Sequence, residues 1–151
     1  VYGQIEGVPA REDHPTRPIS FYGAGKLAAE QYLRLIADLH GVRTTTLRVA
    51  NLYGPGQRTG RSFGALATFV ECALQNREVV IWGDGQTTRD YVYISDVVEA
   101  FVTAGHAHLT SPVMNIGSGQ GRTLNEIADL VQRHVGHPLQ IRREVARPYD
   151  V

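Results

Sequence analysis

The feature that most limits how this chain can fold is its alternation of short β-branched runs with longer stretches of helical spacing, punctuated by glycine, proline and capping residues. Between Tyr22 and His40, the residues Leu27, Leu33, Leu35, Ile36 and Leu39 recur at helical rather than two-residue intervals, which predicts a helix. Ser20, just after Pro18, is its candidate N-cap, because a hydroxyl can accept from the unpaired amides of the first turn. Gly41 is a natural stop, since glycine readily takes the left-handed backbone that ends helices. Thr44 to Ala50 follows at once, short and β-branched as a buried strand is. A helix running straight into such a strand is half of a parallel βαβ unit.

The alternation continues to the far end. Asn51 to Gln57, with Gly54, Pro55 and Gly56, predicts a long loop, then Ser62 to Asn76 a helix, Val79 to Trp82 a strand and Gly83-Asp84-Gly85 a tight turn. Tyr91 to Ile94 predicts a strand in which Tyr91 and Tyr93 share one face, and Ser95 caps a helix reaching about His106. Val113 to Ile116 is a strand, Gly117 to Gly121 a turn leading into the next helix, and Thr123 with Glu126 spells a capping box for a helix to Val135. A last strand, Leu139 to Arg142, follows Gly136 and Pro138. The pattern is that of an α/β architecture with a largely parallel sheet.

Charge and cysteine content narrow the function classes. With 15 basic and 15 acidic residues in 151, the chain lacks the electrostatic footprint of a general nucleic-acid binder. The single cysteine, Cys72, excludes an intramolecular disulfide and a cysteine-based metal site. No apolar stretch approaches the ~18 residues that span a bilayer, and the first residues carry no secretory pattern, so a soluble, cytoplasmic protein with no membrane partner is expected. Neither Val1-Tyr2-Gly3 nor Arg147-Pro148-Tyr149-Asp150-Val151 reads as a complete element, and the sequence reads as a piece of a longer protein.

The stretch Tyr22-Gly23-Ala24-Gly25-Lys26 holds the candidate chemistry. Residues four apart lie on one helical face, so the phenol and the ammonium can meet. Free tyrosine titrates near pH ~10, and a neighbouring cation favours the phenolate that a general base requires. By themselves, a tyrosine and a lysine at this spacing also fit an ordinary surface helix. The pairs His106/His108 and His134/His137 lack a nearby carboxylate cluster and read as structural or surface histidines, so no metal is expected. No Gly-x-Gly-x-x-Gly turn is present. Gly117-Ser118-Gly119-Gln120-Gly121 comes closest, with the wrong spacing for a cofactor loop.

Several separated stretches together resemble the extended short-chain dehydrogenase/reductase family, in particular its NAD-dependent nucleotide-sugar epimerases and dehydratases of the UDP-glucose 4-epimerase kind. They are Val1-Tyr2-Gly3, Ser20 to Lys26, Leu47 to Pro55, Gly83-Asp84-Gly85 with Thr88 to Val92, Asn115-Ile116-Gly117 and Arg147 to Asp150. The resemblance implies a partial Rossmann-like, doubly wound sheet plus a small C-terminal α/β substrate-binding region. Residues 1–60 would supply the second half of the dinucleotide-binding domain, and 61–151 mainly the substrate region, with sheet elements interleaved.

It also implies roles. Tyr22 would be the catalytic base and Lys26 would hold the nicotinamide ribose, both touching NAD, with Val49 and Ala50 beside the nicotinamide. Asn51 would contact the sugar nucleotide, Val80 and Trp82 the nucleobase site, Arg89 and Arg147 the diphosphate, and Asp150 the nucleotide ribose. Trp82 and Val49 would equally serve as core, and Arg89 could simply pair with Asp90. The reaction implied is 4-epimerisation of a UDP-sugar by transient hydride transfer, in a homodimer. The alternatives are a 4,6-dehydratase or reductase of the same family, or a non-catalytic sugar-nucleotide or NAD(P)-binding regulatory protein. Where UDP-sugar members commonly carry an amide, this chain has Phe63-Gly64. The family's Ser or Thr partner of the base falls before Val1, so the 151 residues by themselves are expected to be inactive.

Overall fold

A computed structural model describes residues 1–5, 9–59, 64–107, 109 and 112–146. In chain order the elements are α1 (Phe21–His40), β1 (Thr46–Val49), β2 (Asn51–Tyr53), α2 (Ala65–Leu74), β3 (Val79–Trp82), β4 (Thr88–Tyr93), α3 (Ile94–His106), β5 (Val113–Ile116), β6 (Gly121–Thr123), α4 (Leu124–Val135) and β7 (Ile141–Glu144). They fall into two compact units. One comprises Val1–Val49 and Val98–Ile116, the other Ala50–Val97 and, among the described residues, 117–146.

In the first unit, β1 and β5 pair in parallel with Thr46 opposite Val113 and Val49 opposite Ile116. Helix α1 is bounded as its sequence dictates. The Ser20 side chain accepts from Gly23 N, and Gly41 closes the other end in the left-handed conformation with its N–H donating to Ala37 O. Much of the helix's apolar surface is exposed, including Tyr32, Leu33, Leu35, Ile36 and Leu39.

The second unit holds the hydrophobic core. Phe69, Cys72 and Ala73 of α2, Val79 and Ile81 of β3, Ile127, Ala128 and Val131 of α4, and Leu139 form one cluster. Val79 and Ile81 are 0% exposed, and sequestering a side chain of that size contributes roughly 1.5–3 kcal/mol. Period-two alternation turns Val80 and Trp82 to the opposite, half-buried face of β3. β3 pairs in parallel with β7, and β2 in parallel with β4. The Thr123–Glu126 capping box that opens α4 has both of its reciprocal bonds.

Several expectations need correction. Asn51–Tyr53 is strand rather than loop, because its backbone pairs with Tyr91–Tyr93 of β4. β4 starts at Thr88, drawn out by antiparallel pairing with β6, a strand missing from the sequence reading because three residues leave no periodicity to detect. The Gly117–Gly121 turn therefore leads into β6, and Thr123 caps the helix. Ser95 lies inside α3 rather than before it, its hydroxyl donating to Asp96 Oδ1. The last strand sits at Ile141–Glu144, two residues later than expected, because Leu139 belongs to the core instead. Tyr91 packs against that core, whereas Tyr93 is 39% exposed and meets its register partner Tyr53 edge-on at 5.3 Å. Ser62 and Phe63 of the expected helix lie outside the described residues.

Candidate active site

Tyr22 stands in the first turn of α1, 77% exposed, and Lys26 one turn further on places its Nζ 5.4 Å from the centre of the Tyr22 ring. Gly23, which is buried between them, makes the local geometry workable. A side chain there would begin 3.1 Å from Pro18 Cβ and 3.3 Å from the capping Ser20 Oγ. The phenol and the cation thus share an accessible patch, with the ammonium over the ring face. Val49, the last residue of β1, is half-buried and belongs to the same unit.

The same unit holds a polar network that the sequence reading missed. Arg48 of β1 donates from Nε to Glu30 Oε2 at 3.0 Å and from Nη2 to Glu30 Oε1 at 2.6 Å. The two side chains are only 10% and 11% exposed. Arg48 Nη1 also donates to the Tyr2 hydroxyl at 2.6 Å, and the guanidinium lies 4.8 Å from the Tyr2 ring centre. The Tyr2 hydroxyl in turn donates to Asn115 Oδ1 of β5 at 2.7 Å. The Glu30 carboxylate holds the Arg48 guanidinium above its ordinary value, burial working against it and the Tyr2 hydroxyl with it. Glu30 and Arg48 are 18 positions apart, and no local spacing signals their meeting.

The second unit carries the remaining candidates. Ala50 lies between β1 and β2, and Asn51 opens β2 opposite Tyr91, with its residue exposed. Val80 and Trp82 share a half-buried face of β3. Arg89 of β4 is half-buried and donates from Nη1 to Thr88 O at 3.0 Å. The β4–β6 register sets it directly opposite Arg122, so two guanidinium-bearing residues occupy one cross-strand pair. Arg122 is itself 3.9 Å from the Glu126 carboxylate and donates from Nη2 to Gln120 Oε1 at 3.3 Å. Only the register reveals Arg122, because β6 was not predicted. Burial holds the Tyr91 phenol above its ordinary value, the Arg89 charge opposing that push only in part. The Asp90 carboxylate, for its part, accepts from Ser118 N at 2.8 Å, Ser118 Oγ at 2.6 Å and Gly119 N at 2.9 Å, pinning the glycine-rich turn. Arg147 and Asp150 lie outside the described residues.

Among the described residues there is no group of three or more His, Cys, Asp or Glu able to hold a metal. His134 Nδ1 meets Leu130 O at 2.8 Å and His137 Nδ1 meets Pro138 O at 3.1 Å, while His108 lies outside the described residues. No helix among those residues is long and apolar enough to cross a membrane.

Comparison with known proteins bears on this arrangement. Over 138 residues the chain is 39% identical to the UDP-glucose 4-epimerase of Mycolicibacterium smegmatis, a match covering 91% of this chain and 44% of that protein. Its fold superposes on the UDP-glucose 4-epimerase of Thermotoga maritima, solved with UDP-glucose, with a TM-score of 0.94 at 38% identity, covering 99% of this chain and 48% of that one. The Thermus thermophilus UDP-glucose 4-epimerase in complex with NAD gives a TM-score of 0.92 at 35% identity, covering 99% and 50%. The chain thus spans about half the length of the relatives it matches. Residues 1–117 match the NAD dependent epimerase/dehydratase family. With that match covering most of its length, the chain belongs to the NAD dependent epimerase/dehydratase family.

Proposed function

We propose that the protein carrying this chain is an NAD-dependent nucleotide-sugar epimerase that interconverts the C4 epimers of a UDP-sugar. The observation that carries the reading is the Lys26 ammonium 5.4 Å from the centre of the exposed Tyr22 ring. That pair also fits the cofactor. The lysine's donors and charge suit a ribose diol, and the phenol stands free to reach a substrate hydroxyl. When bound, NAD supplies the hydride acceptor and, on return, the donor.

In this reading Tyr22 takes the proton from the C4 hydroxyl as the carbon is oxidised and returns it as the 4-keto sugar is reduced from its other face. Lys26 orients the nicotinamide ribose, its ammonium standing 5.4 Å from the centre of the Tyr22 ring. Val49 and Ala50 border the nicotinamide, and Asn51 contacts the sugar nucleotide. Val80 and Trp82 line the nucleobase site, Arg89 and Arg147 clamp the diphosphate, and Asp150 contacts the nucleotide ribose. The exposed apolar face of α1 supports a homodimer, and a cytoplasmic location completes the reading.

The test is to incubate the complete protein with UDP-glucose and NAD and follow UDP-galactose by NMR. Tyr22→Phe should lower kcat by roughly 10²–10⁴ with KM little changed. Net consumption of added NADH or NADPH would replace this reading with the reductase, and a 4-keto-6-deoxy product would replace it with the dehydratase. Tight UDP-sugar binding without turnover would leave the regulatory alternative.

A further inference from the structure

We infer that Arg48 and Glu30 are positioning residues that set where α1 presents Tyr22 and Lys26, an inference that rests on the roles proposed for those two side chains. A nearly buried ion pair is a poor source of stability, because desolvating two charges offsets most of their attraction. Its two-pronged geometry nevertheless fixes direction. Both carboxylate oxygens of Glu30 are taken by different nitrogens of one planar guanidinium, so neither sliding nor rolling of the helix is free.

Glu30 is well placed to transmit that restraint. Tyr22, Lys26 and Glu30 are spaced four residues apart on one 20-residue helix, and successive members of the series are about 6 Å apart along the axis and turned by about 40°. Holding Glu30 against β1 therefore fixes the height and rotation of the first two turns, where no other described side-chain bond ties Tyr22 or Lys26 to a strand.

Arg48 also carries the restraint beyond the helix. Nη1 donates to the Tyr2 hydroxyl and to Glu12 O at 3.2 Å. Asn115 of β5 accepts a hydrogen bond from the Tyr2 hydroxyl at Oδ1, donates from Nδ2 to Ala10 O at 2.9 Å and from its backbone N to Glu12 Oε1 at 2.8 Å. One guanidinium thus places the N-terminal segment and α1 in a common frame with β1 and β5. A group delivered by the chain just before Tyr2 would be registered against Tyr22 through Arg48.

The test uses the complete protein, as wild type, as Glu30→Gln, as Arg48→Met, and as the double variant Glu30→Met with Arg48→Met. Three quantities are read: kcat and KM for UDP-glucose, the thermal midpoint, and amide hydrogen exchange over residues 21–28 with residues 124–135 as an internal control. Each single variant should lower kcat by about a hundredfold, the cost of a misplacement near 1 Å, with KM within about threefold. Exchange in the first turns of α1 should accelerate while α4 stays as it was.

The double variant separates positioning from stability. Two apolar side chains remove the uncompensated charge and should restore the thermal midpoint, yet they carry no directional bond, so kcat stays low. If kcat recovers together with the midpoint, or if the single variants leave kcat and α1 exchange at wild-type levels, the inference is overturned. A wild-type protein without turnover whose α1 exchange still responds to Glu30→Gln would overturn the proposed function while upholding the positioning.

Discussion

Gly117 and Asp90 should behave as one energetic unit. The Asp90 carboxylate accepts three bonds from Ser118 and Gly119. These bonds are solvent-exposed, so each is worth about 1 kcal/mol, and Asp90→Ala should cost about 3 kcal/mol. In Gly117→Ala the new methyl would overlap Asp90 Oδ2 and stand 3.1 Å from its Cγ, forcing the carboxylate off its donors. Gly117 is not among the glycines with positive φ, so the backbone adds no penalty and the cost is that of the lost bonds, about 2 kcal/mol. With Asp90→Ala already made, the nearest remaining neighbour is Ala50 Cβ at 3.4 Å, an ordinary contact. The second change should then move stability by less than ~0.5 kcal/mol. The double variant should therefore lie near ~3 kcal/mol rather than the additive ~5 kcal/mol. Urea unfolding of all four proteins measures this, with m compared across the set. Additivity to within ~0.5 kcal/mol would refute the claim that the carboxylate is what excludes a side chain at Gly117.

Ile81→Ala, at a side chain with no exposure, should cost about 3–4 kcal/mol in the same unfolding assay. Arg122→Ala should raise KM for the nucleotide sugar and leave kcat nearly unchanged, and it should weaken UDP binding by calorimetry, if the Arg89–Arg122 pair receives the diphosphate. The Glu126 carboxyl is held below its ordinary 4.5, first by the hydrogen bond from Thr123 N; desolvation pushes the other way, and the Thr123 hydroxyl and Arg122 add to the lowering. A depressed carboxyl contributes above its unfolded value and loses that contribution as pH falls through its folded value. Thermal midpoints of wild type and Glu126→Gln should therefore differ at pH 7 and converge as the pH drops below 4.5.

What could be read from the sequence was whatever local chemistry decides. Ser20, Gly41, Thr123 and Glu126 bound their helices as written, because caps satisfy neighbouring amides and carbonyls and need no distant partner. Val79–Trp82 was equally plain, since four β-branched or apolar residues in a row have few other uses, and Val113–Ile116 is short and apolar but for Asn115. β2 and β6 escaped because each is three residues long and owes its extended form to β4. The Tyr22–Lys26 meeting follows from helical spacing alone, whereas the link between Arg48 and Glu30 joins residues 18 positions apart and requires the fold. Arg122 lay hidden for the same reason: its partner is named by sheet register and not by proximity in the chain.

The parallel pairing of β1 with β5 has a consequence for synthesis. Thr46 meets Val113, a residue made 67 positions later (113 less 46), so at about 5–20 residues per second the earlier strand waits roughly 3–13 s for its neighbour to leave the ribosome. The whole of α2 and β3 is made in that interval. Until then the Thr46–Val49 edge offers free amides and carbonyls to any extended peptide nearby. Nascent chains stalled before Val113 should accordingly be the ones that chaperones hold and that cross-associate on crowded polysomes.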